Sequence, residues 1–134
     1  MFDFILPPDP PSPVIILNDT GGRIIDYKNA AENYKAQGRE VKIIGLCWSA
    51  CTLALSVPNV CVGPMATVMF HYAFNTQTHQ IDVSMTNFML NQLPLKIKNE
   101  VAGKLKKEFY TKATLNSKQL INLGIKKCDN YNKN

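Results

Sequence analysis

The chain of 134 residues has the length of a single domain, and its 46% hydrophobic and 19% charged residues are ordinary for a folded protein. This composition excludes a largely disordered chain, and no apolar run reaches the ~20 residues of a membrane-spanning helix. The net charge of +5 is concentrated in nine lysines between positions 96 and 127, a stretch without arginine. We interpret this stretch as a solvated helix face and expect no nucleic-acid partner, since such surfaces usually carry arginine and aromatic side chains.

The first half of the chain alternates between strand and helix patterns. A proline-rich lead-in over residues 1–12 precedes the domain, which we assign to residues 13–129, with a frayed tail at 130–134. Continuous apolar runs predict four short strands, and helical spacing predicts two helices: strands at Val14–Leu17, Val41–Gly45, Val60–Val62 and Thr67–Phe70, helices at Ile24–Ala36 and Ser49–Ser56. The alternation predicts an α/β fold with parallel strands.

The second half is predicted to be mainly helical. Residues 73–82 show no periodicity and are predicted to form a loop. The remaining patterns predict three helices and an edge strand: helices from about Met85 to Leu93, about Leu95 to Phe109 and Asn116 to Leu123, and a strand at Ile125–Cys128. The sequence thus predicts a helical C-terminal segment attached to the parallel sheet.

The four cysteines are Cys47, Cys51, Cys61 and Cys128. Their spacing matches no zinc pattern and the chain has two histidines, so we expect no metal or other cofactor. We interpret the cysteines as small buried apolar side chains. The alternative is a disulfide that joins Cys47 or Cys51 to Cys61.

Two corners at strand ends contain residues suited to chemistry. The first is Asn18-Asp-Thr-Gly-Gly22, where glycine allows a sharp turn and can present bare backbone N–H groups. The second is Gly45-Leu-Cys-Trp-Ser-Ala-Cys51, where Ser49 stands at the start of a helix. Ser49 could simply be an N-cap, or it could be a nucleophile whose oxyanion is held by the first corner.

A nucleophilic serine needs a base, and the chain offers two histidines. His71 ends the apolar run Val68-Met-Phe and is therefore predicted at a strand end. A histidine beside such a run is more often a core residue than a catalyst. His79 lies in the polar loop and is interpreted as a solvated side chain.

Three blocks in this order resemble the ClpP-like peptidases of the ClpP/crotonase superfamily. The first corner is similar to the family's Asn-Ser-Pro-Gly-Gly turn, and the second to its Gly-x-Ala-x-Ser-Met turn. Ala66-Thr-Val-Met-Phe-His71 is similar to its Ala-x-x-Met-Ile-His strand. The resemblance covers Val14 to Ala73 and is closest to small members with a G-x-C-x-S-A-C turn.

The resemblance implies a ClpP/crotonase-like fold and a serine peptidase that works through an acyl-enzyme. Ser49 would be the nucleophile and His71 its general base. The backbone N–H groups of Gly21 and Ala50 would form the oxyanion hole. The substrate would be a peptide or unfolded protein, bound extended beside a strand edge.

The third member of the triad departs from the family's pattern. The family places an aspartate shortly before a short helix that ends in glycine, a position that falls near Lys112 here. Residues 111–117 contain no carboxylate. The possible orienting residues for His71 are therefore Asp82 and Asn116, and otherwise the site is a Ser-His dyad.

The resemblance also implies self-association into a homo-oligomer. We do not expect a double ring with an ATPase partner, because the segment after His71 is shorter than the family's contact region and the family's axial N-terminal segment is not recognisable. Two alternatives to the peptidase are a catalytically silent assembly or adaptor module and, less favoured, a crotonase-type acyl-CoA enzyme. We expect a cytoplasmic location because no signal peptide is visible, with the periplasm as the alternative.

Overall fold

The computed structural model describes residues 11–106, 111–129 and 131. Most of the predicted lead-in, the end of the helix predicted from Leu95 to Phe109, and most of the predicted tail lie outside these residues. The described elements, in chain order, are β1 Val14–Asp19, α1 Ile24–Ala36, β2 Val41–Trp48, a 3-10 helix Ser49–Ser56, β3 Val60–Val62, β4 Thr67–His71, α2 Val83–Asn91, α3 Leu95–Lys104, β5 Lys112–Asn116, α4 Ser117–Asn122 and β6 Lys126–Lys127.

The predicted α/β class is confirmed, and strand β2 lies at the centre of a six-stranded sheet. One edge of β2 pairs in parallel with β1 along most of its length. The other edge is shared, since β3 pairs in parallel with its first half and β4 with its last three residues. The strands β1, β2 and β4 therefore run in the same direction, and their carboxyl ends meet at one end of the sheet.

The sheet is mixed rather than purely parallel, because β5 pairs antiparallel with β4. The sequence did not predict β5, so the C-terminal segment is less helical than expected. Along β5, Ala113 and Leu115 are buried, while Lys112, Thr114 and Asn116 are exposed. The predicted edge strand near the C-terminus is confirmed as β6, which pairs with β3.

A bulge in the β1–β2 pairing fixes how the two strands end. Ile16 pairs with Ile43, but Asn18 pairs with Leu46, so β2 uses one more residue than β1 over this stretch. At the bulge, a Cβ atom added to Gly45 would collide with the carbonyl oxygen of Leu17. The glycine of the second corner is therefore needed for the close approach of two backbones.

The core is formed by side chains of the strands together with those of the helices packed on the sheet. Its largest fully buried side chains come from four strands, the 3-10 helix and three helices and include Ile43, Phe70, Leu53, Met89, Ile97, Leu115 and Leu120. None of the helices in the described ranges is long and apolar enough to cross a membrane.

All four cysteines form disulfides, which corrects the interpretation of them as buried thiols. Cys47 is bonded to Cys51, and Cys61 to Cys128. The alternative pairing of Cys47 or Cys51 with Cys61 is also wrong. Cys61 lies on β3 and its partner follows β6, so the folded sheet, and not the local spacing, brings these two residues together.

Candidate active site

The carboxyl ends of β1, β2 and β4 bring the two corners and His71 to one end of the sheet. Asp19 pairs with Cys47 across β1 and β2, and Trp48 pairs with Met69 across β2 and β4. Ser49 directly follows β2, and His71 is the last residue of β4. Reactive groups in parallel α/β folds collect at this end of the sheet.

Ser49 has a left-handed backbone with a φ of 58°. For a residue other than glycine, this conformation costs on the order of 1–3 kcal/mol and is kept only where the surrounding structure enforces it. Ser49 is the first residue of the 3-10 helix, and Trp48 occupies the N-cap position without a side-chain capping bond. Ser49 therefore occupies a strained strand-to-helix turn and does not cap the helix.

Gly21 packs directly against this turn. An added Cβ atom at Gly21 would lie 2.8 Å from Ser49 Cβ, 2.8 Å from the Trp48 carbonyl oxygen and 3.1 Å from the Ala50 nitrogen. Its φ of 93° is also one that side-chain-bearing residues rarely adopt. The structure thus brings Gly21, Ser49 and Ala50 together.

The N–H of Gly21 is already engaged. It donates to Asp19 Oδ1 at 2.8 Å, and the hydroxyl of Tyr27 donates to the same oxygen at 2.8 Å. A carboxylate that accepts an N–H two residues further on is a common local turn. For Gly21 to stabilise a substrate oxyanion, Asp19 must release this N–H. The N–H of Ala50 lies in the first turn of a helix, where backbone donors have no partner within the helix.

Burial and the hydrogen bond to Asp19 together set the ionisation of the Tyr27 phenol. Burial, followed by the hydrogen bond to the Asp19 carboxylate and its charge, raises the pKa of Tyr27 from 10.0 to about 12. The folded state thus favours the neutral phenol. The stability that this contributes is fully present below pH 10, and it is lost as the pH rises through the folded-state pKa.

We therefore expect the ultraviolet difference between the native protein and Tyr27→Phe to show no phenolate at pH 10, where an ordinary tyrosine is half ionised. The phenolate of Tyr27 should appear only near pH 12. Circular dichroism at each pH establishes that the chain is still folded. A midpoint at the ordinary value would show that Tyr27 is neither buried nor bonded to Asp19 in the way the structure has it.

The ring of His71 is held by a backbone carbonyl. Its Nδ1 lies 2.7 Å from the carbonyl oxygen of Tyr72, and its ring contacts that of Phe74 with centroids 5.5 Å apart. A carbonyl oxygen only accepts, so Nδ1 carries the proton and Nε2 is left as the basic nitrogen. In the described residues, no hydrogen bond joins this ring to the hydroxyl of Ser49.

The two residues predicted to orient His71 have other partners. Asp82 caps α2, where its carboxylate accepts the N–H of Met85 at 2.9 Å. Asn116 caps α4 in a reciprocal bond pair with Gln119. The structure therefore does not bring either side chain to the His71 ring as an orienting group.

The register of β4 and β5 explains the placement of Asn116. His71 pairs with Lys112, while Asn116 pairs with Thr67 at the other end of the ladder. Four residues of strand correspond to about 13 Å, beyond the reach of an asparagine. The residue opposite His71 is Lys112, and the family resemblance would place a carboxylate near this position.

Two clefts flank the site. One of about 440 Å³ lies between β1 and α1 and reaches Asp19, Thr20 and Cys51. The other, of about 340 Å³, lies between the first turn of α1 and α2 and is lined mainly by Ile25, Met85 and Phe88.

Sequence reasoning missed three features of the site: the contact between Asp19 and Gly21, the role of Tyr27 and the carbonyl of Tyr72. The spacing Asp-x-Gly is a known turn signal, so the first could have been found. The other two depend on the tertiary positions of α1 and of the chain after β4. The described residues also contain no cluster of three His, Cys, Asp or Glu side chains that could hold a metal ion.

No family model matches the chain, and no curated protein is similar enough to it to count as a match. The class that the fold and site define is an α/β domain with a strained serine, a histidine and a glycine turn at one end of its sheet.

Proposed function

We propose that the chain is a serine peptidase with a ClpP/crotonase-like fold that cleaves peptide bonds through an acyl-enzyme. The observation that carries the proposal is the left-handed Ser49 packed against Gly21 at the end of β2. A strained strand-to-helix turn exposes a nucleophile in unrelated hydrolases and has no use in a simple helix cap. The resemblance to the ClpP-like motifs assigns Ser49 the role of nucleophile and the N–H of Gly21 a place in the oxyanion hole.

In the proposed reaction, Ser49 Oγ attacks the scissile carbonyl while His71 Nε2 takes its proton. The developing oxyanion accepts the N–H of Ala50 and that of Gly21, once the latter has left Asp19. His71 then protonates the leaving amine, and water, activated by the same ring, hydrolyses the acyl-enzyme. Catalytic hydrogen bonds commonly tighten only with substrate bound, which accounts for the open Ser49–His71 pair.

The Tyr72 carbonyl supports the base differently from a carboxylate. It selects the tautomer with a basic Nε2, but it carries no full charge to stabilise the imidazolium that forms during the attack. In a serine triad, replacing the acid by an amide costs about 10⁴ in kcat because the histidine takes the wrong tautomer. The Tyr72 carbonyl sets the right tautomer, so the loss expected here is the part that comes from the missing charge. We therefore propose a slow enzyme whose histidine is oriented by its own strand end.

A silent assembly or adaptor module is the second candidate. Two observations favour it: the Gly21 N–H is occupied by Asp19, and Lys112 stands opposite His71. Self-association is proposed for either candidate. Ile15 and Leu17, both more than half exposed on edge strand β1, are apolar surface that a second copy could cover.

The disulfides favour an oxidising compartment. Disulfides persist in secreted and periplasmic proteins and are rare in the reducing cytosol. We therefore propose the periplasmic alternative over the cytoplasmic one. Intact mass of the native protein without reduction measures the disulfide state on which this location depends.

A fluorophosphonate probe tests the proposed function. Ser49 Oγ would attack phosphorus and displace fluoride, and intact mass would show a single adduct per chain. We expect the adduct in the native protein and not in Ser49→Ala. Labelling that persists in the variant would place the nucleophile elsewhere. A folded native protein that stays unlabelled over hours would favour the silent module.

A further inference from the structure

We infer that the Cys47–Cys51 disulfide is a positioning element that holds Ser49 in its reactive backbone conformation, an inference that rests on the proposed function. The disulfide joins the next-to-last residue of β2 to the third residue of the 3-10 helix. Ser49 lies midway between the two cysteines. The crosslink therefore bridges the two sides of the turn that contains the proposed nucleophile.

The geometry of the crosslink restricts the turn. The Cα atoms of Cys47 and Cys51 are 5.3 Å apart, whereas four extended residues span about 13 Å. Cys47 and Trp48 are kept extended by pairing with β4. The reversal of the chain must therefore occur at Ser49 and the residues just after it, and the left-handed Ser49 makes that reversal.

The two cysteines are suited to this role because they are fully enclosed. Cys47 is 0% and Cys51 1% exposed. Cys51 also contributes to the lining of the cleft between β1 and α1. Without the bond, Ser49 could relax to the right-handed or extended conformations that side-chain-bearing residues prefer.

The second disulfide provides a matched control within the same chain. Cys61 pairs with Lys42 near the start of β2, the end of the strand far from Ser49. The Cys61–Cys128 bond joins residues 67 apart in sequence, and the Cys47–Cys51 bond residues 4 apart. Because a longer loop loses more chain entropy, the control disulfide should contribute more to stability and nothing to the Ser49 turn.

The experiment compares Cys47→Ala/Cys51→Ala with Cys61→Ala/Cys128→Ala. Intact mass without reduction first establishes both disulfides in the native protein. The rate of fluorophosphonate labelling at Ser49 and the urea midpoint are then measured for each. We expect the first variant to label at least about tenfold more slowly, equivalent to about 1.4 kcal/mol in the barrier. The second should lose more stability and label at the native rate.

Backbone ¹³C chemical shifts of Ser49 give a readout that does not depend on activity. A purely structural disulfide would lower the urea midpoint and leave these shifts and the labelling rate of the folded state unchanged. That result for Cys47→Ala/Cys51→Ala would overturn the inference. We expect the left-handed signature to be lost in this variant and kept in the control. If the native protein is unlabelled, the proposed function fails and the shifts alone decide the inference.

Discussion

Replacement of His71 by alanine should slow phosphonate labelling of Ser49 by at least about 100-fold, the lower range for removal of a general base. The reason is that His71 Nε2 is the basic nitrogen that the Tyr72 carbonyl leaves available at this end of the sheet. The fold should change little, because His71 is only partly buried and does not belong to the hydrophobic core. Intact mass against time measures the rate, and circular dichroism the fold.

The matched control is His79→Asn. His79 has a left-handed backbone with a φ of 58°, a conformation that asparagine tolerates well. It lies in the loop after β4, and its replacement should leave labelling unchanged. Added imidazole should restore part of the rate in His71→Ala, where it can enter the space left by the ring. If His71→Ala labels at the native rate, Ser49 is not activated by this histidine.

Replacement of Gly45 by alanine should lower the free energy of unfolding by more than about 3 kcal/mol, at the upper end of overpacking effects. The added methyl group would collide with the backbone oxygen of Leu17, which cannot rotate away as a side chain could. Relief requires β1 to separate from β2 or change register. The shift would carry Asp19 and Gly21 away from Ser49, so labelling should fall as well.

Gly103→Ala is the control for Gly45→Ala. Nothing lies within 4 Å of an added Cβ atom at Gly103, which is in α3. Alanine there should raise stability by about 0.5–1 kcal/mol through its helix propensity. Urea unfolding of both variants measures the difference. A small loss in Gly45→Ala, comparable with an ordinary surface substitution, would show that the bulge relaxes easily and that its register does not fix the site.

Local patterns in the sequence predicted much of the framework. The bounds of α1 and of the helix after Ser49 agree with the structure, because amphipathic spacing and a following proline or glycine act over a few residues. The apolar runs predicted both bounds of β3 and the first residues of β1, β2 and β4, whose last residues lie one to three positions further along the chain. The order of strands and helices also placed Ser49 and His71 at the same end of the sheet.

Other features depend on partners distant in sequence, and the local patterns did not predict them. Strand β5 was missed because its buried face consists of Ala113 and Leu115, a weak alternation that becomes a strand only beside β4. Asp82 and Asn116 were predicted to orient His71, yet each caps the helix that follows it. An aspartate or asparagine just before a helix readily satisfies the backbone donors nearest to it.

The sequence by itself determined the α/β class, the order of the elements and the residue types at the two corners, because apolar periodicity and glycine act locally. The tertiary structure alone decided the Cys61–Cys128 disulfide, the left-handed backbone of Ser49 and the contact of Ser49 with Gly21. The two Ser49 features arise where the end of β1, β2 and the 3-10 helix contact one another, and the Cys61–Cys128 bond forms where β3 pairs with β6. A backbone angle or a crosslink at such a contact is set by all the packed segments together, and no one segment encodes it.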